Sequence, residues 1–258
     1  MLILRKDQIK SLQLVSRGVF AEQMVGHLAQ FSPLLYRTLG EHRMRDVILC
    51  GMNRAESYGL TFRGPVRLYL ELTLLFGSSC DADCQYPWAA EILANHEVGP
   101  QMQRAHWLYE RSMDYRKNVA GPDDAYSIVA LRRIASLARH PPNLSASSFV
   151  QDMLSFIEYC YPEKAAYVGN RGFETLIHQG MDKTKRRGLL SVRGTALVVV
   201  LMVAFGCDCD ADPLYPWIGK TLNDDSTADT EVSALRLEKE ALTWLDHALA
   251  YFDARIRA

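Results

Sequence analysis

The chain contains itself twice, and this restricts its architecture more than any other feature. Set against itself at an offset of 129 residues, FGSSCDADCQYPW (76–88) falls on FGCDCDADPLYPW (205–217), with Phe, Gly, Cys, Asp, Ala, Asp, Tyr, Pro and Trp coinciding. The same ungapped register pairs Ile48 with Ile177, Gly51 with Gly180, Met52 with Met181, Gly59 with Gly188, Leu60 with Leu189, Leu68 with Leu197 and Leu72 with Leu201. Between 48/177 and 88/217 there are 16 identities in 41 pairs, where unrelated segments would give about two or three. Phe20 with Phe149 and Met24 with Met153 carry the echo further upstream. Two copies of one supersecondary unit are expected, at 1–121 and 122–258, meeting near Gly121-Pro122.

The apolar spacing inside each unit is helical. Phe20, Met24, Val25 and Leu28 form one stripe, and Phe149, Met153, Leu154 and Ile157 its counterpart. Helices are expected next over 41–58 and 171–187, each ended by a glycine, Gly59 or Gly188. The run ALVVVLMVAF (196–205) could be a buried strand in isolation. Its partner RLYLELTLLF (67–76) places Leu68, Leu72 and Leu75 on one helical face, and duplicated segments share a conformation, so 66–76 and 195–205 are both read as helices. A helix over 101–117 carries Met102, Ala105, Leu108, Tyr109 and Ser112 along one side. In 230–256 the set is Val232, Leu235, Leu242, Leu245, Leu249 and Phe252. A linking helix over 124–139 keeps Ile128, Leu131, Ile134 and Leu137 in step until His140-Pro141-Pro142 stops it. The expected fold is all-α: two related helical bundles from an internal duplication, packed together.

Composition narrows the function classes. Apolar residues make up 48% and charged residues 23%, with a net charge of −1; no basic excess points to nucleic acid. The apolar run 196–205 falls well short of the roughly 20 residues a helix needs to cross a bilayer. Met1-Leu2-Ile3-Leu4-Arg5-Lys6-Asp7 lacks the pattern of a secretory leader. A cytoplasmic protein without a membrane or nucleic-acid partner is expected, its six cysteines reduced and free of any disulfide spacing.

The repeated motif invites chemistry through Asp81, Asp83, Asp210 and Asp212. Asp208, Asp210 and Asp212 alternate like the opening of a calcium loop, but Pro213 stands where its turn needs glycine and Gly219 where it needs glutamate. Cys80-x3-Cys84 and Cys207-x-Cys209 lack the second ligand pair of a zinc site. No nucleophile-and-base set accompanies the acids. No metal, cofactor or catalytic residue is therefore assigned. A structural motif is expected instead: Phe76, Gly77, Asp81, Asp83, Tyr86, Pro87 and Trp88, with Phe205, Gly206, Asp210, Asp212, Pro213, Tyr215, Pro216 and Trp217. In it Asp212-Pro213 reads as a helix start, aspartate capping and proline in the first turn, while phenylalanine and tryptophan pack on either side of the turn. Lys183, Lys185, Arg186 and Arg187 form a basic helix end, suited to the helix dipole or to an anionic partner. Asp208, which replaces Ser79 of the first copy, and Asp224-Asp225 add acidity nearby.

FGCDCDADPLYPW, preceded by an amphipathic helix and by Leu4-Arg5-Lys6-Asp7-Gln8 near the N-terminus, resembles the motif of small helical bacterial proteins associated with type VI secretion effectors. The first copy departs from it at Cys84, where the second has Pro213. The resemblance implies a partner that is a cognate toxin or effector. An immunity protein that neutralises the toxin by steric occlusion is the expected function; a cytoplasmic adaptor or chaperone holding the effector for loading is the alternative, and an enzyme using the motif carboxylates a more distant one. Lys183, Lys185, Arg186, Arg187 and Asp208 are the expected partner-binding residues; for a toxin that attacks nucleic acid, Lys185, Arg186 or Arg187 would pair with its active-site carboxylates.

Overall fold

The structure is a computed structural model that describes residues 5–95, 97, 99–139, 143–188, 191–223 and 230–257. Met1 to Leu4, the helix stop at His140-Pro141-Pro142, the Leu189 partner of Leu60, and Asp224-Asp225 lie outside the described residues. Among those described there are helices and no strands. The first half runs α1 (Lys6–Phe31), α2 (Pro33–Ser57), α3 (Arg63–Phe76), α4 (Pro87–Ala94) and α5 (Gln101–Tyr115). After a π-turn and a short 3-10 turn comes α6 (Ala125–Arg139). The second half runs α7 (Phe149–Cys160), α8 (Pro162–Val168), α9 (Asn170–Arg186), α10 (Val192–Phe205), α11 (Pro216–Leu222) and α12 (Thr230–Arg257).

Element boundaries repeat in the register of the sequence identities. Helices α3 and α10 occupy equivalent residues, α4 and α11 both begin at the proline of Tyr-Pro-Trp, and α5 and α12 begin in step. Helix α2 kinks at Gly40 (φ 76°), and at the equivalent Gly169 (φ 77°) the second half breaks into α8 and α9. The packing repeats as well. A methyl group added to Gly51 would sit 2.5 Å from Leu70, and one on Gly180 would sit 2.6 Å from the equivalent Val199, so both units bring these helices together at a side chain-free position. The valine-rich α10 is helical like its partner α3; it packs against α7, α9 and α12, and this burial outweighs the modest β preference of its valines.

Each half has its own buried cluster. The first gathers Leu28, Met44, Ile48, Leu60, Leu70, Leu93 and Leu108, and takes Leu214 from the second half. The second gathers Met153, Ile157, Phe173, Leu176, Val199, Met202, Ile218 and Leu237, with Cys84 of the first half packed against it. Full burial of each large aliphatic side chain contributes about 1.5–3 kcal/mol, so the exchanged residues join the halves as well as filling them.

Several expected faces are shifted. Leu75, Met102, Tyr109, Val232 and Leu235 are exposed, whereas Tyr69, Leu70, Thr73 and Leu74 of α3, and Ala234, Leu237 and Ala248 of α12, are buried. Spacing marked these segments as amphipathic, but their orientation depends on which neighbouring helix is present.

Candidate functional site: the seam between the repeats

The two copies of the motif meet each other. Helices α3 and α10 end at Gly77 and Gly206, whose φ angles of 94° and 103° let each chain turn sharply into its acidic loop. The loops then cross. The Asp83 carboxylate accepts from the backbone N–H of Cys207 at 2.6 Å, and the equivalent Asp212 carboxylate accepts from the backbone N–H of Ser78 at 2.8 Å. Cys207 and Ser78 are equivalent positions, so the exchange is reciprocal. Each aspartate also accepts from the backbone N–H two residues on, at Gln85 and Leu214, both 2.8 Å, which closes a turn held by its own side chain.

This corrects the helix-cap reading of Asp212-Pro213. Residues 207–211 and 213–214 are turns with Asp212 irregular between them, and α11 starts only at Pro216, with Tyr215 at its N-cap and no side-chain cap bond. Asp212 spends its acceptors on its own turn and on the other repeat. Burial raises its carboxyl above the usual aspartate range, while the Ser78 and Leu214 N–H groups pull the other way.

Behind the crossing the aromatic residues repeat in kind. Phe76 lies edge-on to Trp88 (5.9 Å, 82°) and to Tyr115 (5.1 Å, 84°); Phe205 lies edge-on to Trp217 (6.2 Å, 88°) and to Trp244 (4.6 Å, 90°). Tyr115 and Trp244 are equivalent residues at the ends of the duplicated stretch. Each unit thus holds two edge-to-face contacts, one of the geometries aromatic pairs prefer; the motif's Phe and Trp, expected on either side of the turn, meet each other.

The outer aspartates bind cations. Asp81, fully buried at its side chain, pairs with Arg54 at 2.6 Å. Its counterpart Asp210 pairs with Lys183 at 2.7 Å and with Arg187 at 2.6 Å. Arg54 and Lys183 are themselves equivalent, a conservative pair that a search for identities passes over. Tyr58 stands where the second copy has Arg187; burial, and then the Asp81 carboxylate beside it, push its phenol up to about 12. Asp208 reaches Lys183 at 2.7 Å; burial works against its ionised form, but the Lys183 hydrogen bond and charge outweigh this and hold it below the usual range. Of the four basic residues singled out, Lys183 and Arg187 are therefore bound within the chain, while Lys185 and Arg186 are exposed, with Arg186 donating to the Asp182 carbonyl at 3.2 Å.

Chemically, the site is spent on itself. The inner carboxylates hold backbone N–H groups and the outer ones hold cations. The thiols of Cys80, Cys207 and Cys209 are buried and pushed well above the usual cysteine range, which makes them poor nucleophiles. Among the described residues no three His, Cys, Asp or Glu side chains converge as a metal ion would need.

Two residues break the symmetry of the seam. Gln85, where the second copy has Leu214, donates to the Met202 carbonyl at 3.1 Å. Lys164, where the first copy has buried Leu35, donates to the Val203 carbonyl at 2.6 Å, so both complete the C-terminal turn of α10. Lys164 is buried with no carboxylate in ion-pair contact among the described residues, and burial pulls its amine down to about 8, against the pull of Asp83 and Cys84. Neither residue was singled out from the sequence, because a lysine in an amphipathic helix reads as surface.

Replacing Lys164 by methionine should stabilise the protein by about 1–2 kcal/mol at pH 7: relief of roughly 3 kcal/mol of charge burial, less the lost bond to Val203. The folded amine titrates below its unfolded value of 10.5, so the penalty is full below pH 8 and fades as the pH rises towards 10.5. Urea titrations at pH 7 and pH 10 should show the variant's advantage shrinking; a variant less stable than the parent at pH 7 would mean that the capping contact outweighs the buried charge.

No helix among the described residues is long and apolar enough to cross a membrane. No protein-family model, no curated protein and no solved structure matches the chain.

Proposed function

We propose that this protein is an immunity protein, which binds a cognate type VI secretion toxin in the cytoplasm of the producing cell and neutralises it by steric occlusion, without a cofactor. The motif's resemblance to proteins of that system motivates the reading. The observation that carries it is the use of the motif carboxylates: each is committed to a backbone N–H of the seam or to a cation of its own chain, which leaves a scaffold for presenting surfaces and no acid or base poised towards a substrate. A helical body cross-braced at its centre suits stoichiometric binding, because little order has to be paid for on association.

Co-expression with a candidate toxin from a neighbouring gene should restore growth and yield a complex that survives size-exclusion chromatography. Continued killing despite good expression would reject the proposal. Toxicity left intact, together with loss of secretion on deletion of the gene, would identify an adaptor instead.

A further inference from the structure

Lys164 borders a cavity of about 250 Å³ that lies where the two repeats meet. The first repeat brings Phe76, Tyr86 and Tyr115 to its wall, and the second brings Tyr161, Phe205 and Trp244. The edge-on pairs Phe76–Tyr115 and Phe205–Trp244 are therefore two walls of one space. Lys164, Tyr86, Phe76 and Phe205 are buried, whereas Leu75, Arg116 and Ala204, which also line the cavity, are exposed and mark its mouth. Arg116 begins the π-turn 116–120, and beyond it Asp123 and Asp124 hold left-handed backbone (φ 51° and 62°). Such departures from regular helix collect at ligand sites.

The charge in this cavity is not balanced. The Lys164 amine stands 5.7 Å from the centre of the Tyr86 ring and 6.0 Å from that of Tyr161. One of its three N–H donors goes to the Val203 carbonyl at 2.6 Å, and the Tyr86 hydroxyl, at 3.5 Å, is at the limit for a second. The third has no partner among the described residues. Arg116 and Asp124, the other charges on the wall, pair with each other at 3.4 Å. Asp83 acts on Lys164 through its charge alone, its oxygens being held by the N–H groups of Cys207 and Gln85. A buried cation without a counter-ion is costly, and the first repeat avoids that cost with buried Leu35 at the equivalent position.

We propose that this cavity binds a small aromatic carboxylate, with the acid group on the Lys164 ammonium and the ring between the aromatic walls of the two repeats. The carboxylate supplies the missing counter-ion through a charge-assisted hydrogen bond, and the Tyr86 hydroxyl is placed to donate to its second oxygen. Aromatic walls favour a ring over an alkyl chain, because ring pairs gain more than their buried area alone provides. The volume equals that of about eight water molecules in the liquid, room for a single ring with a short acid arm. Because its walls come from both repeats, the ligand would tighten the seam. The inference rests on the cavity and its amine, and does not depend on the protein's partner being a toxin.

Benzoate, phenylacetate and indole-3-acetate are the probes, each titrated against the full chain by isothermal calorimetry, with phenylacetamide as the uncharged control. Saturable one-to-one binding of at least one acid is expected, and the amide should bind at least tenfold more weakly than phenylacetate. Lys164→Met should weaken the acid at least tenfold while leaving the protein folded by circular dichroism. Ala204→Trp, at the exposed mouth, fills the entrance without touching the amine and should cause a similar loss. Absence of saturable binding by all three acids overturns the proposal. So does an amide that binds as tightly as the acid, or an affinity unchanged in Lys164→Met, either of which would mean that the charge recognises nothing. A loss in Lys164→Met with none in Ala204→Trp would place the acid outside the cavity, which also overturns it. The assay contains no toxin, so its failure and a failure of growth rescue are separate results.

Discussion

Gly77→Ala should destabilise the protein by about 4 kcal/mol, and Gly206→Ala by about 2–3 kcal/mol. Both glycines hold a positive φ combined with an extended ψ, 94°/158° and 103°/158°, a conformation nearly closed to residues with a Cβ and costing on the order of 1–3 kcal/mol. The difference comes from the crossing. A methyl on Gly77 would lie 2.6 Å from the carbonyl oxygen of Phe205, whereas one on Gly206 would lie 3.1 Å from that of Phe76. The first contact can be relieved only by separating the two loops; the second needs a shift of a few tenths of an ångström. Urea denaturation checks this as a lower midpoint at unchanged slope. Equal losses below 1 kcal/mol would show that the loops do not meet in solution.

Removal of the inner carboxylates should be nearly as costly. Asp83→Ala and Asp212→Ala are each expected to lose about 2–3 kcal/mol, because buried N–H groups on both repeats are left without acceptors: Gln85 and Cys207 in the first case, Leu214 and Ser78 in the second. Asparagine should rescue little, since its amide would present a donor to one of two backbone donors. The double alanine variant should lose less than the sum of the singles, because both act on the same crossing and the first loss loosens it for the second. Full additivity in denaturant titrations would instead mean that the two hydrogen-bonded arms are independent.

Retention of the motif in both copies has a physical reason in this geometry. Where two repeats pack about a local two-fold, every contact is made twice, and each motif must supply both the aspartate and the N–H that receives it. Two identical halves then reinforce one seam. Asymmetry enters where one contact of a pair is dispensable, as at Gln85 against Leu214 and Lys164 against Leu35.

What the sequence by itself determined was local. The offset of 129 residues, the helical period, the stops at Gly59, Gly77, Gly188 and Gly206, and the helical state of the valine-rich α10 all follow from residues within a few turns of one another, together with the rule that copies fold alike. What only the tertiary structure decided was which groups meet. The bonds from Asp212 to Ser78 and from Asp83 to Cys207 join residues 134 and 124 positions apart, and nothing local distinguishes an aspartate that caps a helix from one that holds another loop. Exposure was decided in the same way. Met113 and Leu242, or Tyr109 and Glu238, occupy the same places on the same helices, yet the first of each pair is exposed and the second half-buried, because α12 packs against α6 and no spacing along the chain announces that neighbour.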